Sequence, residues 1–228
     1  MDLFFVPNSL ENTLLVSANG VAHYQIQTTS FRNGSQITLI QRPDFIESSP
    51  EESVIAEIEW HHKNTPTVIR SPMLGGVGQC VGSRGVGVKA SKYLYKRHRF
   101  SPVRYFVGDD AKEYRWKLVR NTGCILTRLD TNRDIACSMT TACVEGLFAG
   151  ERKQILRIQP CALDIDVVVL TFLVMERKRR ARDGGGLEEV ERDEDPQGDG
   201  GGSGDGDGDV DVDVNDENGA DSGMLGEI

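Results

Sequence analysis

Residues 162–182, ALDIDVVVLTFLVMERKRRAR, constrain the fold more than any other stretch of this chain. Between Ile165 and Met175 every residue except Asp166 and Thr171 is apolar, so a helix drawn through the segment is apolar on all faces. Such a helix needs apolar surroundings on every side, which the middle of a protein or a membrane supplies. Eleven residues rise only about 16 Å as a helix, against the roughly 30 Å of a bilayer's hydrocarbon core. A buried core element is therefore expected over a spanning one. Strand is the rival assignment, because Val167, Val168, Val169, Thr171 and Val174 are β-branched. Charge placement favours helix: Asp164 and Asp166 stand at the start, and Arg177, Lys178, Arg179, Arg180 and Arg182 follow Glu176, complementing a helix dipole. Burying about nine large apolar side chains contributes on the order of 15–25 kcal/mol before chain entropy opposes it. Whatever encloses this helix must be large and apolar.

The preceding sequence offers strands to do so. Short strand patterns run through 3–6, 13–17, 22–28, 36–41, 54–60, 67–70, 92–96, 104–107, 113–119, 125–129, 135–139 and 155–158, with period-two alternation plainest in 22–28, 36–41 and 54–60. In 54–60 it sets Val54, Ala56, Ile58 and Trp60 opposite Ile55, Glu57 and Glu59. Asn19-Gly20, Asn33-Gly34 and Asp109-Asp110 supply turns. A sheet of about twelve strands must close or split to manage its edges. The expected fold class is therefore all-β with one central helix: a closed barrel of about twelve strands around the buried C-terminal hydrophobic helix, which removes the edges and encloses the helix at once.

Charge divides the chain. Residues 183–228 hold 17 acids and one base, Arg192, a net of −16, whereas the preceding residues hold 18 acids and 25 bases, a net of +7. The acidic, glycine-rich segment has little apolar mass to offset ordering and is expected to be disordered, beside a folded domain over 1–182. Within that domain, residues 74–91 carry six glycines without a regular period. Neither GxxxxGK[ST] nor GxGxxG fits them, so a mobile surface insertion is expected rather than a phosphate loop. The five cysteines are odd in number and form no CxxC pair, and residues 1–6 have no secretory pattern. Reduced thiols in a cytoplasmic protein are the expectation.

The stretches AHYQIQTTS, AEIEW, KYLYKRHRF, EYRWKLV and ALDIDVVVLTFLVMERKRR resemble an uncharacterised fungal family of the tubby C-terminal-like fold. That fold is shared by tubby proteins, plant LURP-one-related proteins and phospholipid scramblases. The resemblance covers about residues 2–182. It implies phosphoinositide headgroup binding on a basic face, and it carries no catalytic residues over.

Chemistry is sparse. His61-His62 is an adjacent pair whose side chains point to opposite faces of a strand, with no cysteine or acid cluster nearby to complete a metal site. No elbow or triad signature accompanies Cys124, Cys137 or any serine, so a non-enzymatic protein without cofactor is expected. Asp205, Asp207, Asp209, Asp211 and Asp213 alternate, but an EF-hand loop starting at Asp205 would place Val210 and Asp216 where glycine and glutamate belong. The densest basic region is Lys89, Lys92, Lys96, Arg97, Arg99 and Arg104, interleaved with Tyr93, Tyr95, Phe100 and Tyr105. Bases between aromatics can hold phosphates and sit at an interface. The expected function is binding of anionic phospholipid headgroups at membrane surfaces through these six bases, the plainer alternative being a solvated strand pair. A protein-interaction scaffold acting through the insertion and the tail, or a scramblase-like lipid transporter, are the other readings. Nucleic acid is disfavoured because no reading motif is present.

Overall fold

The computed structural model describes residues 1–43, 53–61, 65–74, 87–119 and 123–183. The chain separates into two units, Met1–Asp193 and Glu194–Ile228, and all described residues belong to the first. Most of the glycine-rich insertion (75–86), the acidic tail beyond 183, His62 and Cys80 lie outside the described residues.

Alternating burial turns most of the strand-patterned stretches into strands: β1 (Asp2–Val6), β2 (Asn12–Ser17), β3 (Ala22–Ser30), β4 (Gln36–Gln41), β5 (Val54–Trp60), β6 (Val68–Arg70) and β7 (Val88–Lys89). A four-residue helix α1 (Ala90–Tyr93) precedes β8 (Arg104–Val107), β9 (Glu113–Val119), β10 (Gly123–Arg128), β11 (Arg133–Ala142) and β12 (Arg152–Ile158), and α2 (Ile165–Asp183) follows. Tight turns are set where the sequence placed Asn-Gly, with Gly20 at φ 86° and Gly34 at φ 83°, a region that glycine enters without a Cβ clash. All neighbouring strands pair antiparallel, in the order β7-β6-β5-β4-β3-β2-β1-β12-β11-β10-β9-β8. Two meanders thus meet where β1 pairs β12, through Asp2↔Arg157, Leu3↔Leu156 and Phe4↔Ile155.

This topology corrects the expected closed barrel with its central helix. The twelve-stranded sheet is open: among the described residues no ladder joins its terminal strands β7 and β8. The helix α2 stands at the C-terminal end of the described chain and packs on that open sheet rather than forming a barrel's axis. Closure was inferred from the number of strands, but it requires the two end strands to pair, and β7 contributes only two residues, both used against β6. The edges are managed another way: β7 is very short, and the chain leaves it through α1 to reach Tyr95, which bridges the outer side of β8 at Tyr105.

The stretch 92–96 is also corrected from strand. As a strand it would put Leu94 on the same face as Lys92 and Lys96. The helical turn instead sends Ala90 and Leu94, four residues apart and each 2% exposed, into the core while Lys92 stays outside.

The helix α2 runs through the basic cluster to Asp183. Its start is capped where Asp164 Oδ1 accepts from the Asp166 N–H at 2.9 Å. From Asp166 to Glu176 every residue is buried, and the polar ones are each partnered. Tyr24 Oη and Arg42 Nη2 donate to Asp166 at 2.8 and 2.5 Å, and Trp116 Nε1 donates to Thr171 Oγ1 at 2.9 Å. Phe172 meets Phe5 and Trp116 with ring centroids 5.9 and 6.0 Å apart.

Candidate functional site

The six bases expected to form a headgroup site occupy four different environments. Lys89 closes β7, Lys92 lies on the outer side of α1, and Arg99 lies in the connection to β8; all three are exposed. Lys96 is half-buried, its Nζ 3.4 Å from the Arg99 carbonyl. Arg97 and Arg104 are engaged elsewhere.

Arg97 is held by the outer face of the sheet. Tyr95 and Tyr105 exchange both backbone hydrogen bonds at 2.9 Å, and their rings stack with centroids 5.9 Å apart. The Arg97 guanidinium lies 4.4 Å over the Tyr105 ring and donates to both Glu113 oxygens at 2.6 Å. Tyr95 Oη donates to the same carboxylate. These bonds, that of Tyr95 first, hold the Glu113 carboxyl below its usual range. Arg97 therefore brings a neutralising partner with it. Arg104 points the other way: it alternates inward with Phe106, is 9% exposed, and donates from Nη1 to the Ser101 carbonyl at 3.3 Å. Of the six it is the one whose side chain is directed to the inner side of its strand.

Between these fixed points the chain projects. The Ser101 N–H donates to the His98 carbonyl at 3.0 Å, closing a turn that carries Phe100 outward. Phe100 is 93% exposed, the highest value of any large hydrophobic side chain among the described residues. Arg99 accompanies it, its guanidinium 5.8 Å from the Phe100 ring. From Lys89 to Val107 the sequence contains no acid.

Pairing brings in two bases that sequence reasoning left unassigned. In β9, Tyr114 and Trp116 face inward, so Arg115 and Lys117 face outward, and Arg115 stands directly opposite Tyr105. The alternation of EYRWKLV carried this signal; its adjacency to β8 is a matter of register.

Cys124, Arg70 and His61 are tied into the fold. The Cys124 thiol lies 3.6 Å from Glu176, and burial, reinforced by that carboxylate, pushes its pKa up, so it stays protonated and unreactive. Arg70 donates to both Glu57 and Glu59 at 2.6 Å, and His61 Nε2 lies 3.2 Å from Glu59. Among the described residues no group of three or more His, Cys, Asp or Glu side chains is arranged to hold a metal ion, and no helix is long and apolar enough to cross a membrane.

A model of the Family of unknown function (DUF6593) matches residues 8–181, a span that contains β2 to β12, the projecting turn and nearly all of α2. No curated protein and no solved structure matches the chain.

Proposed function

We propose, from the premise that the chain belongs to the DUF6593 family of unknown function, that it is a peripheral module for anionic phospholipid headgroups, phosphoinositides included. The observation that carries this reading is Phe100, 93% exposed at the apex of a turn in a stretch with bases and no acids. An apolar ring held in water among cations is matched to the boundary between headgroups and acyl chains: burying it contributes about 1.5–3 kcal/mol, and each base near an anionic surface about 1 kcal/mol. Lys89, Lys92 and Arg99 supply those charges, with Lys117 on the neighbouring strand face. The sequence resemblance to an uncharacterised fungal family related to tubby proteins implies the same ligand class. A scramblase-like role would carry α2 into the bilayer together with its buried Asp166 and Glu176, at high cost. The scaffold reading rests on 75–86 and the tail, outside the described residues.

The test is co-sedimentation of the full chain with vesicles of phosphatidylcholine alone, and with phosphatidylserine or a phosphoinositide added, across a salt series. Binding is expected to the anionic vesicles only and to weaken with salt. Phe100→Ala should weaken it roughly tenfold, and joint replacement of Lys89, Lys92 and Arg99 by alanine roughly a hundredfold. If neither the full chain nor one ending at residue 183 binds anionic vesicles at low salt, the reading is wrong.

A further inference from the structure

We propose that Ser101 is a phosphorylation site, and that its modification releases the Phe100 turn from anionic membranes. The second half of this inference rests on the membrane reading above.

The chain contains three Ser-Pro dipeptides, Ser49-Pro50, Ser71-Pro72 and Ser101-Pro102, and the structure separates them. Ser71 is 0% exposed and its hydroxyl is spent on the Ile55 carbonyl at 2.7 Å. Ser49 lies outside the described residues and is followed by Pro50, Glu51 and Glu52. Ser101 follows the exposed Phe100 and precedes the exposed Pro102, and residues 101–103 belong to no helix or strand. Its Oγ accepts from the Val103 N–H at 3.2 Å, a bond that orients the oxygen without using the hydroxyl proton. A serine in an irregular segment outside the sheet is open to a kinase without unpairing any strand. Arg99, exposed two residues before the serine, suits a groove with an acidic subsite. Pro102, with no N–H to satisfy, suits an apolar subsite after the acceptor.

The reaction is ordinary phosphoryl transfer. Ser101 Oγ attacks the γ-phosphorus of a nucleoside triphosphate bound by a protein kinase. The new O–P bond forms as the bond from that phosphorus to the β,γ-bridging oxygen breaks, the hydroxyl proton passes to the kinase's base, and nucleoside diphosphate leaves. No oxidation state changes.

The product alters the surface at its apex. A phosphoserine carries about −1.5 to −2 charge at pH 7 and three acceptor oxygens. Here it would sit next to Phe100 and two residues from Arg99, and the Arg104 guanidinium is already 3.3 Å from the Ser101 carbonyl. It therefore repels lipid phosphate where the ring must enter and offers nearby guanidinium groups an internal partner. Affinity for anionic vesicles should fall at least about tenfold.

The experiment treats the full chain, and a Ser101→Ala variant, with a proline-directed protein kinase and magnesium ATP. Modified residues are mapped by tandem mass spectrometry, and both proteins are then titrated with phosphatidylserine vesicles beside untreated samples. Expected are modification of Ser101, at least about tenfold weaker binding of the modified chain, and undiminished binding of the treated variant. An untouched Ser101, or a phosphorylated chain that binds as tightly as the untreated one, overturns the inference. Failure of the untreated chain to bind overturns the membrane reading and the release with it, and the mass spectrum then decides the site by itself.

Discussion

Glu176 keeps its charge at 0% exposure because two arginines of its own helix fold back onto it. Arg179 Nε and Arg180 Nε donate to the carboxylate at 2.7 and 3.0 Å, and Gln154 Nε2 adds a bond of 3.1 Å from β12. Burial alone would raise the carboxyl's pKa, but the hydrogen bonds and charges of Arg179 and Arg180 outweigh it and hold it below the usual value of 4.5. A carboxyl lowered in the folded state contributes stability that is fully present above its unfolded pKa and lost as pH falls through its folded pKa. Glu176→Gln should therefore lower the free energy of unfolding at pH 7 by about 2–4 kcal/mol, the lower end applying because both arginines can turn toward water. The variant should also lose less stability than the native chain on acidification below about pH 4.5. Urea denaturation across that range checks both; equal acid sensitivity in the two proteins would assign the acid response to other groups. Asp166, at the opposite end of α2, works with the other sign. Burial raises its carboxyl despite the Tyr24 and Arg42 bonds, so it protonates more readily when folded.

At the scale of elements, α2 is tied to the sheet by a hydrogen bond in the middle of its apolar run. Thr171 Oγ1 donates to the Val167 carbonyl at 2.7 Å and accepts from Trp116 Nε1 at 2.9 Å. Thr171→Val keeps the shape and strands a buried indole N–H. It should cost about 1–3 kcal/mol, and Thr171→Ser distinctly less, measured by chemical denaturation. A valine variant as stable as the native chain would mean that the indole finds another acceptor. The helix itself was legible in the sequence, because a segment apolar on every face and charged oppositely at its two ends has few other folds open to it. Its partner Trp116 was not, since β9 lies 55 residues earlier and only tertiary packing brings it there. Strands with one aromatic or aliphatic face, such as β3 and β9, were readable for the same reason of period. Lys92 to Lys96 was misread because a helical turn of four residues is too short to declare its period against the alternation of KYLYK. The candidate surface divides likewise. The basic stretch stood out in composition, but Tyr105 and Phe106 are adjacent aromatics, so alternation could not decide that Arg104 would face inward. Nor could it show that Glu113, across a hairpin, would take Arg97. Sheet closure depended on whether β7 and β8 pair, which no property of either strand alone determines.

For the whole molecule, charge is the controlling quantity. A tail of −16 is tethered to a body of +7, which gives acid a high effective concentration near any basic face. Removing residues 184–228 should strengthen binding to anionic vesicles several-fold at low salt, and the difference should shrink as salt is raised. Co-sedimentation of the two chains checks it; identical low-salt affinities would show that the tail does not compete. The strand order has a consequence of a different kind, for how the chain is made. Each meander is sequential, so β1 to β7 can pair while the remainder is still unsynthesised. The middle of the sheet cannot, because β1 has its second neighbour in β12, with Asp2 opposite Arg157. A ribosome must therefore release almost the entire domain before β1 is covered on both sides. Until then β1 presents an unpaired row of N–H and C=O groups. The helix on which both meanders pack is translated later still, which leaves the nascent sheet without its apolar partner for most of its synthesis and makes this the stage at which a chaperone would matter most.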